Sequence, residues 1–214
     1  MKQRILVVVA MVLLVFAGLM MAARPAAADT FSDVQSSYWA YDAINSLSGQ
    51  GYITGYPYGN FAPDALITRA EFVSIMDKVL KLPAYDPAKP DFSDISGGDW
   101  YYNSVETAVH DGIAKGYGND IFRPGYPITR EEMACILVQA LGIPSQVAAN
   151  MGTKTNFTDD ARISDWARGY VVVAVQNLGL LKGYPDSSFK PQSDATRAEA
   201  CTMIENFLKV YVQG

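Results

Sequence analysis

The sequence predicts a mainly α-helical fold: three copies of one unit in a pseudo-threefold arrangement around a shared three-helix core. Two observations carry this expectation. First, the tetrad Thr-Arg-x-Glu occurs three times, as Thr68-Arg69-Ala70-Glu71, Thr129-Arg130-Glu131-Glu132 and Thr196-Arg197-Ala198-Glu199, its arginines 61 and 67 residues apart. Second, it closes a longer series that recurs in one order. Each copy reads Phe-x-Asp (Phe31 to Asp33, Phe92 to Asp94, Phe157 to Asp159), then Trp39, Trp100 or Trp166, which are all the tryptophans of the chain. Gly-Tyr follows (Gly55-Tyr56, Gly116-Tyr117, Gly183-Tyr184), then Phe-x-Pro (Phe61 to Pro63, Phe122 to Pro124, Phe189 to Pro191), then the tetrad.

Residues 1–28 come first. Lys2 and Arg4, an uncharged run from Ile5 to Met21 and Ala26-Ala27-Ala28 read as a secretory signal cleaved after Ala28. An uncleaved N-terminal anchor is the other reading of that run. Cleavage removes Lys2, Arg4 and Arg24 but no acid, which takes the net charge from −5 to −8. So acidic a chain has no basic face to neutralise phosphates, which argues against a nucleic-acid partner. It also leaves no membrane segment after cleavage.

The units divide the rest into repeat 1 (29–81), repeat 2 (92–142) and repeat 3 (157–214), joined by linkers 82–91 and 143–156. Within repeat 1, Ala40, Ala43, Ile44 and Leu47 have helical spacing, and Gly51 stops that helix, as Gly112 and Gly179 stop its counterparts. A Gly, Pro and Tyr-rich loop follows, with room for a short strand pair. The tetrad then opens a second helix. Thr68 with Glu71, Thr129 with Glu132 and Thr196 with Glu199 have the spacing of a capping box. Behind them run the apolar stripes Phe72, Val73, Met76, Val79 and Leu80; Met133, Ile136, Leu137, Ala140 and Leu141; and Met203, Ile204, Phe207 and Leu208. One such unit buries little apolar surface, so the three must share a core.

Thr and Glu are thus explained by local structure, but Arg is not. A cation in the first helical turn opposes the helix dipole by roughly 0.3–1 kcal/mol. Two roles would outweigh that cost: contact with an anionic ligand, or an internal ion pair with Asp33, Asp94 or Asp159. The tryptophans are either core wedges or groove walls, and the Phe-x-Asp acids suit turns and helix entry. Cys135 and Cys201 are too few for a disulfide framework and read as structural, either as buried thiols or as one pair. With a single histidine, His110, and no Cys-x-x-Cys, no metal site and no cofactor are expected. Asn156-Phe157-Thr158 fits a glycosylation sequon, a pattern that also arises by chance.

Together the motifs Phe31-Ser32-Asp33, Trp39-Ala40-Tyr41-Asp42-Ala43-Ile44, Gly55-Tyr56-Pro57 and Ile67-Thr68-Arg69-Ala70-Glu71, matched in repeats 2 and 3, closely resemble the S-layer homology domain. The resemblance covers residues 30–212. It implies a spindle of three helix-loop prongs around a three-helix bundle. It further implies non-covalent binding of cell-wall polysaccharide, often a pyruvylated secondary polymer on peptidoglycan, in grooves between repeats. The site residues it implies are Arg69, Arg130 and Arg197, the three tryptophans, Gly55, Gly116 and Gly183, with Tyr56, Tyr117 and Tyr184 beside them. Residue chemistry agrees: a guanidinium fork suits a carboxylate, helix-start amides suit an anion, and Trp and Tyr faces suit sugar rings.

The copies depart from the family's Gly-Tyr-Pro-Asp-Gly-x-Phe loop at Tyr58, at Gly118-Asn119-Asp120 and at Ser187. Glu131, where the other copies have alanine, predicts that Arg130 is the arginine least used for an anion.

The expected function is anchoring of an exported protein at the cell wall or surface layer, without catalysis. No catalytic constellation stands out, although plentiful acids keep a glycan-cleaving enzyme in view. The alternative is a structural, self-associating surface-layer or adaptor protein without a specific glycan pocket, with surface-layer proteins as partners. No EF-hand loop supports cation binding there. Little more than Tyr211 to Gly214 follows the last apolar stripe of repeat 3, so a stand-alone wall protein, an adaptor that recruits partners and a truncated gene product are all expected forms.

Overall fold

The structure, a computed structural model, describes residues 31–212, and the signal segment read at residues 1–28 lies outside them. The described residues form seven α-helices and no strand. Repeat 1 contributes α1 (Tyr41–Gly49) and α2 (Arg69–Leu80), and repeat 2 contributes α3 (Tyr102–His110) and α4 (Arg130–Ala140). The second linker holds α5 (Pro144–Ala149), and repeat 3 contributes α6 (Arg168–Val172) and α7 (Arg197–Tyr211). The mainly helical class predicted from the repeats is the class observed.

Each first helix ends as its glycine dictates. Gly51 and Gly112 take φ of 76° and 73°, and the next amides, of Tyr52 and Ile113, reach back to the carbonyls of Leu47 and Ala108. That is a Schellman closure, which needs a residue without a Cβ penalty in the left-handed region. Repeat 3 carries one residue more between its Trp and its loop Gly: 17 positions separate Trp166 from Gly183, against 16 in the other repeats. The helix absorbs the insertion by widening into a π turn, Val173–Asn177, directly after α6.

Each second helix opens on the capping box read from the sequence, with Thr68, Thr129 and Thr196 as N-caps. The Glu carboxylate takes its own Thr amide at 2.8, 2.9 and 3.0 Å in turn. In the repeat 1 loop the strand pair is reduced to one single-residue bridge, Tyr56 with Asn60, and inter-repeat bridges stand beside the second helices, such as Leu66 with Thr196 and Thr68 with Pro127.

The inter-repeat bridges belong to a closed circuit. The amide of Ile67 donates to Ala195, that of Ala195 to Ile128, and that of Ile128 back to Ile67, at 2.9–3.1 Å. These three residues occupy equivalent positions and are fully buried. Helix packing follows the same order: α2 packs on α3, α4 on α6, and α7 on α1. Each repeat therefore lays its second helix on the first helix of the next, and the third repeat returns to the first. Phe61, Phe122 and Phe189, wholly buried, pair with Phe31, Phe92 and Phe157 at ring-centroid distances of 5.1, 5.2 and 5.3 Å. One continuous apolar core spans all three units, as expected for units too small to fold alone.

The linkers are tied to the core. Val147 of α5 is buried, and Gly169 of α6 lets the Val147 carbonyl approach so closely that a Cβ there would lie 2.4 Å from it. In the first linker, the amide of Tyr85 donates to Thr107 and that of Asp91 to Glu106, both on α3.

Candidate functional site: inter-repeat grooves

Each motif arginine leaves its own repeat and enters the next. Arg69 donates Nε to Phe122 O (3.1 Å) and Nη2 to Lys115 O (3.0 Å). Arg130 does the same with Phe189 O and Lys182 O at 2.8 and 2.7 Å, and Arg197 with Phe61 O and Thr54 O at 3.0 and 2.8 Å. The remaining Nη1 faces the capping-box Glu of that next repeat: Arg69 with Glu132 at 3.5 Å, Arg130 with Glu199 at 3.4 Å, Arg197 with Glu71 at 3.9 Å. The guanidinium also lies over the loop tyrosine, with centroid distances of 4.6, 4.6 and 4.8 Å for Tyr117, Tyr184 and Tyr56.

The arginines are only 3–4% exposed. Such a cation is stable because carbonyls, a carboxylate and a π face together replace water. The dipole cost at the helix start is outweighed by a contact that only the folded ring supplies. Asp33, Asp94 and Asp159 are not the arginines' partners. Each accepts two backbone amides of its own loop, those of Phe61 and Ala62, Phe122 and Arg123, or Phe189 and Lys190. They thereby hold Ala62, Arg123 and Lys190 at positive φ.

The helix-start amides are also occupied. Arg69 N and Ala70 N donate to Tyr126 O and Pro124 O, and the equivalent amides of the other helices find the matching carbonyls. The sequence suggested these amides as an anion site, but backbone from the next repeat fills it. Glu131 turns away from Arg130. It is buried and accepts from the amide and hydroxyl of Ser164, at 3.0 and 2.8 Å, just before Trp166.

The tryptophans lie outside the core, with Trp39, Trp100 and Trp166 exposed by 62%, 69% and 54%. Trp166 forms one wall of a cavity of about 330 Å³ between repeats 2 and 3. Ile136 and Cys135 of α4, Tyr117 and Gly116 of the repeat 2 loop, and Arg69 from repeat 1 line it as well. The arginine, the loop Gly-Tyr and the tryptophan of this groove thus come from three different repeats, a grouping that linear spacing does not reveal. Tyr117 donates its hydroxyl to Glu132, and Tyr184 does so to Glu199. Burial and that acceptor push both hydroxyls up to about 12.

Gly55, Gly116 and Gly183 have ordinary φ. Their lack of a side chain serves a close approach: a Cβ would lie 2.3–2.4 Å from the ring of Phe31, Phe92 or Phe157. Both cysteines are free thiols, Cys201 buried in the core and Cys135 in the cavity lining. Sequence reasoning missed Cys135, Lys115 and Tyr170 as groove residues. Aligning the copies on their loop glycines could have found Lys115, but nothing linear joins Tyr170 to a loop of another repeat.

Comparison with known proteins agrees with this geometry. The family model for the S-layer homology domain matches residues 30–73, 91–134 and 156–201. An S-layer protein, sap, of Bacillus anthracis is 35% identical over 84% of the chain, which covers 21% of that protein. Exoglucanase XynX of Acetivibrio thermocellus is 38% identical and an amylopullulanase of Thermoanaerobacterium thermosulfurigenes 37%, each again over 84% of the chain but over only 16% and 10% of those proteins. The chain therefore spans between a tenth and about a fifth of the length of these relatives. With three matched copies, a shared core and the tetrad at each inter-repeat contact, the chain belongs to the S-layer homology domain family.

Proposed function

We propose that the chain holds a protein at the bacterial cell surface by non-covalent binding of a cell-wall polysaccharide, in its finer form a pyruvylated secondary polymer. The observation that carries this reading is the position of the tryptophans. Large aromatic faces are exposed at three equivalent places, a recurrence that singly scattered surface residues do not explain. A sugar ring, apolar on its faces and polar at its edge, is a partner that fits such faces. Tyr117 lines the same cavity as Trp166, and each arginine holds the next repeat's loop. In this arrangement Arg69, Arg130 and Arg197 act chiefly by positioning, and Arg69 also lines the cavity between repeats 2 and 3.

Relatives named as S-layer proteins place the same repeats in surface proteins, which supports the surface location. The catalytic names of other relatives belong to proteins of which this chain matches a small part. The function proposed here is anchoring without catalysis.

A pull-down on purified sacculi tests the reading, before and after acid extraction of the secondary polymer, with salt and chelator controls. Binding lost on extraction is the expected result. Binding retained after extraction would move the target to peptidoglycan. Binding lost with chelator alone would replace glycan recognition with cation bridging.

A further inference from the structure

Glu131 stands where the other second helices have alanine, Ala70 and Ala198. It is buried and ties α4 to repeat 3 at two places. Its amide donates to Pro191 O of the repeat 3 loop at 2.9 Å. Its carboxylate accepts the amide and the hydroxyl of Ser164, one on each oxygen, at 3.0 and 2.8 Å. The first contact recurs in every repeat, through Ala70 with Pro124 and Ala198 with Pro63. The second does not. Two residues before the other tryptophans come Ser37 and Gly98, and at those junctions an alanine side chain offers no acceptor.

Ser164 is the residue from which Trp166 is placed. Its carbonyl accepts from the amides of Ala167 and Arg168 at 2.9 and 3.0 Å, the turn that opens α6. Ala167 is fully buried, so Trp166 lies between a residue held by Glu131 and one held by the core. Of the three tryptophans it is the least exposed. Nine positions separate Phe157 from Trp166, against eight in the other repeats. An added residue brings backbone freedom that folding must fix. Here a carboxylate fixes it, through hydrogen bonds about twice as strong as neutral ones. Glu131 also belongs to the first turn of α4, where the helix dipole favours an acid.

We infer that Glu131 is a positioning residue for Trp166: through Ser164 it presets one wall of the cavity between repeats 2 and 3, the 2/3 groove, before a ligand arrives. Glu131 is not among the residues that line that cavity, so it acts through Ser164. The inference rests on the glycan-anchoring reading above and adds a residue that tunes binding without contact. A side chain ordered in advance lowers the ordering cost of binding. The sequence reads this acid as a hindrance to anion capture at Arg130; in the fold it holds a tryptophan segment.

The test keeps one tryptophan as reporter. Trp39→Phe with Trp100→Phe leaves Trp166 alone, and Trp100→Phe with Trp166→Phe leaves Trp39 alone. Glu131→Ala should raise acrylamide quenching of Trp166 and lower its fluorescence anisotropy, with Trp39 unchanged. With all three tryptophans present, Glu131→Ala should weaken binding to sacculi about fivefold, the size expected for ordering one side chain. Glu131→Gln can still accept from the amide and donate to the hydroxyl oxygen, so it should keep both readouts near the parent. Glu131→Asp, one methylene shorter, should behave like Glu131→Ala. Ile44→Val, a core change in repeat 1, controls for lost stability alone and should move neither readout. Trp166 quenching unchanged by Glu131→Ala would overturn the inference, as would a change matched by Ile44→Val or shared by Trp39. Parent and Glu131→Ala chains that bind sacculi equally sink this inference alone. A parent chain that does not bind sacculi sinks the anchoring reading and this inference with it.

Discussion

Replacing Arg130 by alanine is the most direct challenge to the idea that the tetrad arginine ties one repeat to the next. The side chain is 3% exposed and donates to two carbonyls of repeat 3, with Glu199 at 3.4 Å and the rings of Tyr184 and Phe189 at 4.6 and 5.0 Å. Truncation leaves Phe189 O and Lys182 O without those donors and Glu199 without its cation. Removing one partner of a buried pair costs about 3–5 kcal/mol, and the lost cation–π contacts add about 0.5–2 kcal/mol. Together they make a loss of about 5 kcal/mol, which in a domain of this size corresponds to a fall in Tm of roughly 10–20 °C. Arg130→Lys should fall in between, because an ammonium keeps the charge but cannot span two carbonyls as a planar fork does. Thermal unfolding followed by circular dichroism reads both variants. A Tm for Arg130→Ala within about 3 °C of the parent, on the same scale, would refute the staple and return the arginine to ligand contact alone.

Three further outcomes are expected. Gly116→Ala should destabilise by about 1–3 kcal/mol, since its Cβ would meet the Phe92 ring at 2.4 Å and Ile121 O at 2.8 Å, while Gly125→Ala, with open space around it, should be near neutral in the same melt. Burial pushes the Asp33 carboxyl up, but the amides of Phe61 and Ala62 outweigh it and hold the group below the usual carboxylate range. Its contribution is therefore complete above that range and is lost as pH falls through the lowered value, so Asp33→Asn should flatten the acid limb of a stability-against-pH curve; an unchanged limb would contradict the assignment. Glu106 runs the other way: burial raises its pKa and Oε2 has no partner, so the folded state favours its protonated form. Stability from this group falls as pH rises from the ordinary carboxylate range through the raised value, and Glu106→Gln should remove that decline in denaturant titrations from acid to neutral pH.

The sequence by itself determined the two helices of each repeat and the need for a shared core, but not α5, which lies where a linker was read. Capping boxes, glycine stops and apolar stripes act within a few residues, so Thr68 with Glu71 or Gly51 after α1 could be read from neighbours alone. The π turn was visible only as one extra residue between Trp166 and Gly183, because spacing records an insertion but not how a helix absorbs it. The tertiary structure decided the use of the arginines. Their partners are carbonyls 46 to 143 residues away, and a carbonyl carries no side-chain signature that a sequence can display. It also decided that the helix-start amides are filled by the next repeat's backbone. Finally, it assembled the 2/3 groove from Arg69 of one repeat, Tyr117 of a second and Trp166 of a third. Local chemistry specifies how each helix starts and stops. The junctions between repeats depend on ring closure, where side chains from distant copies share one low-dielectric space.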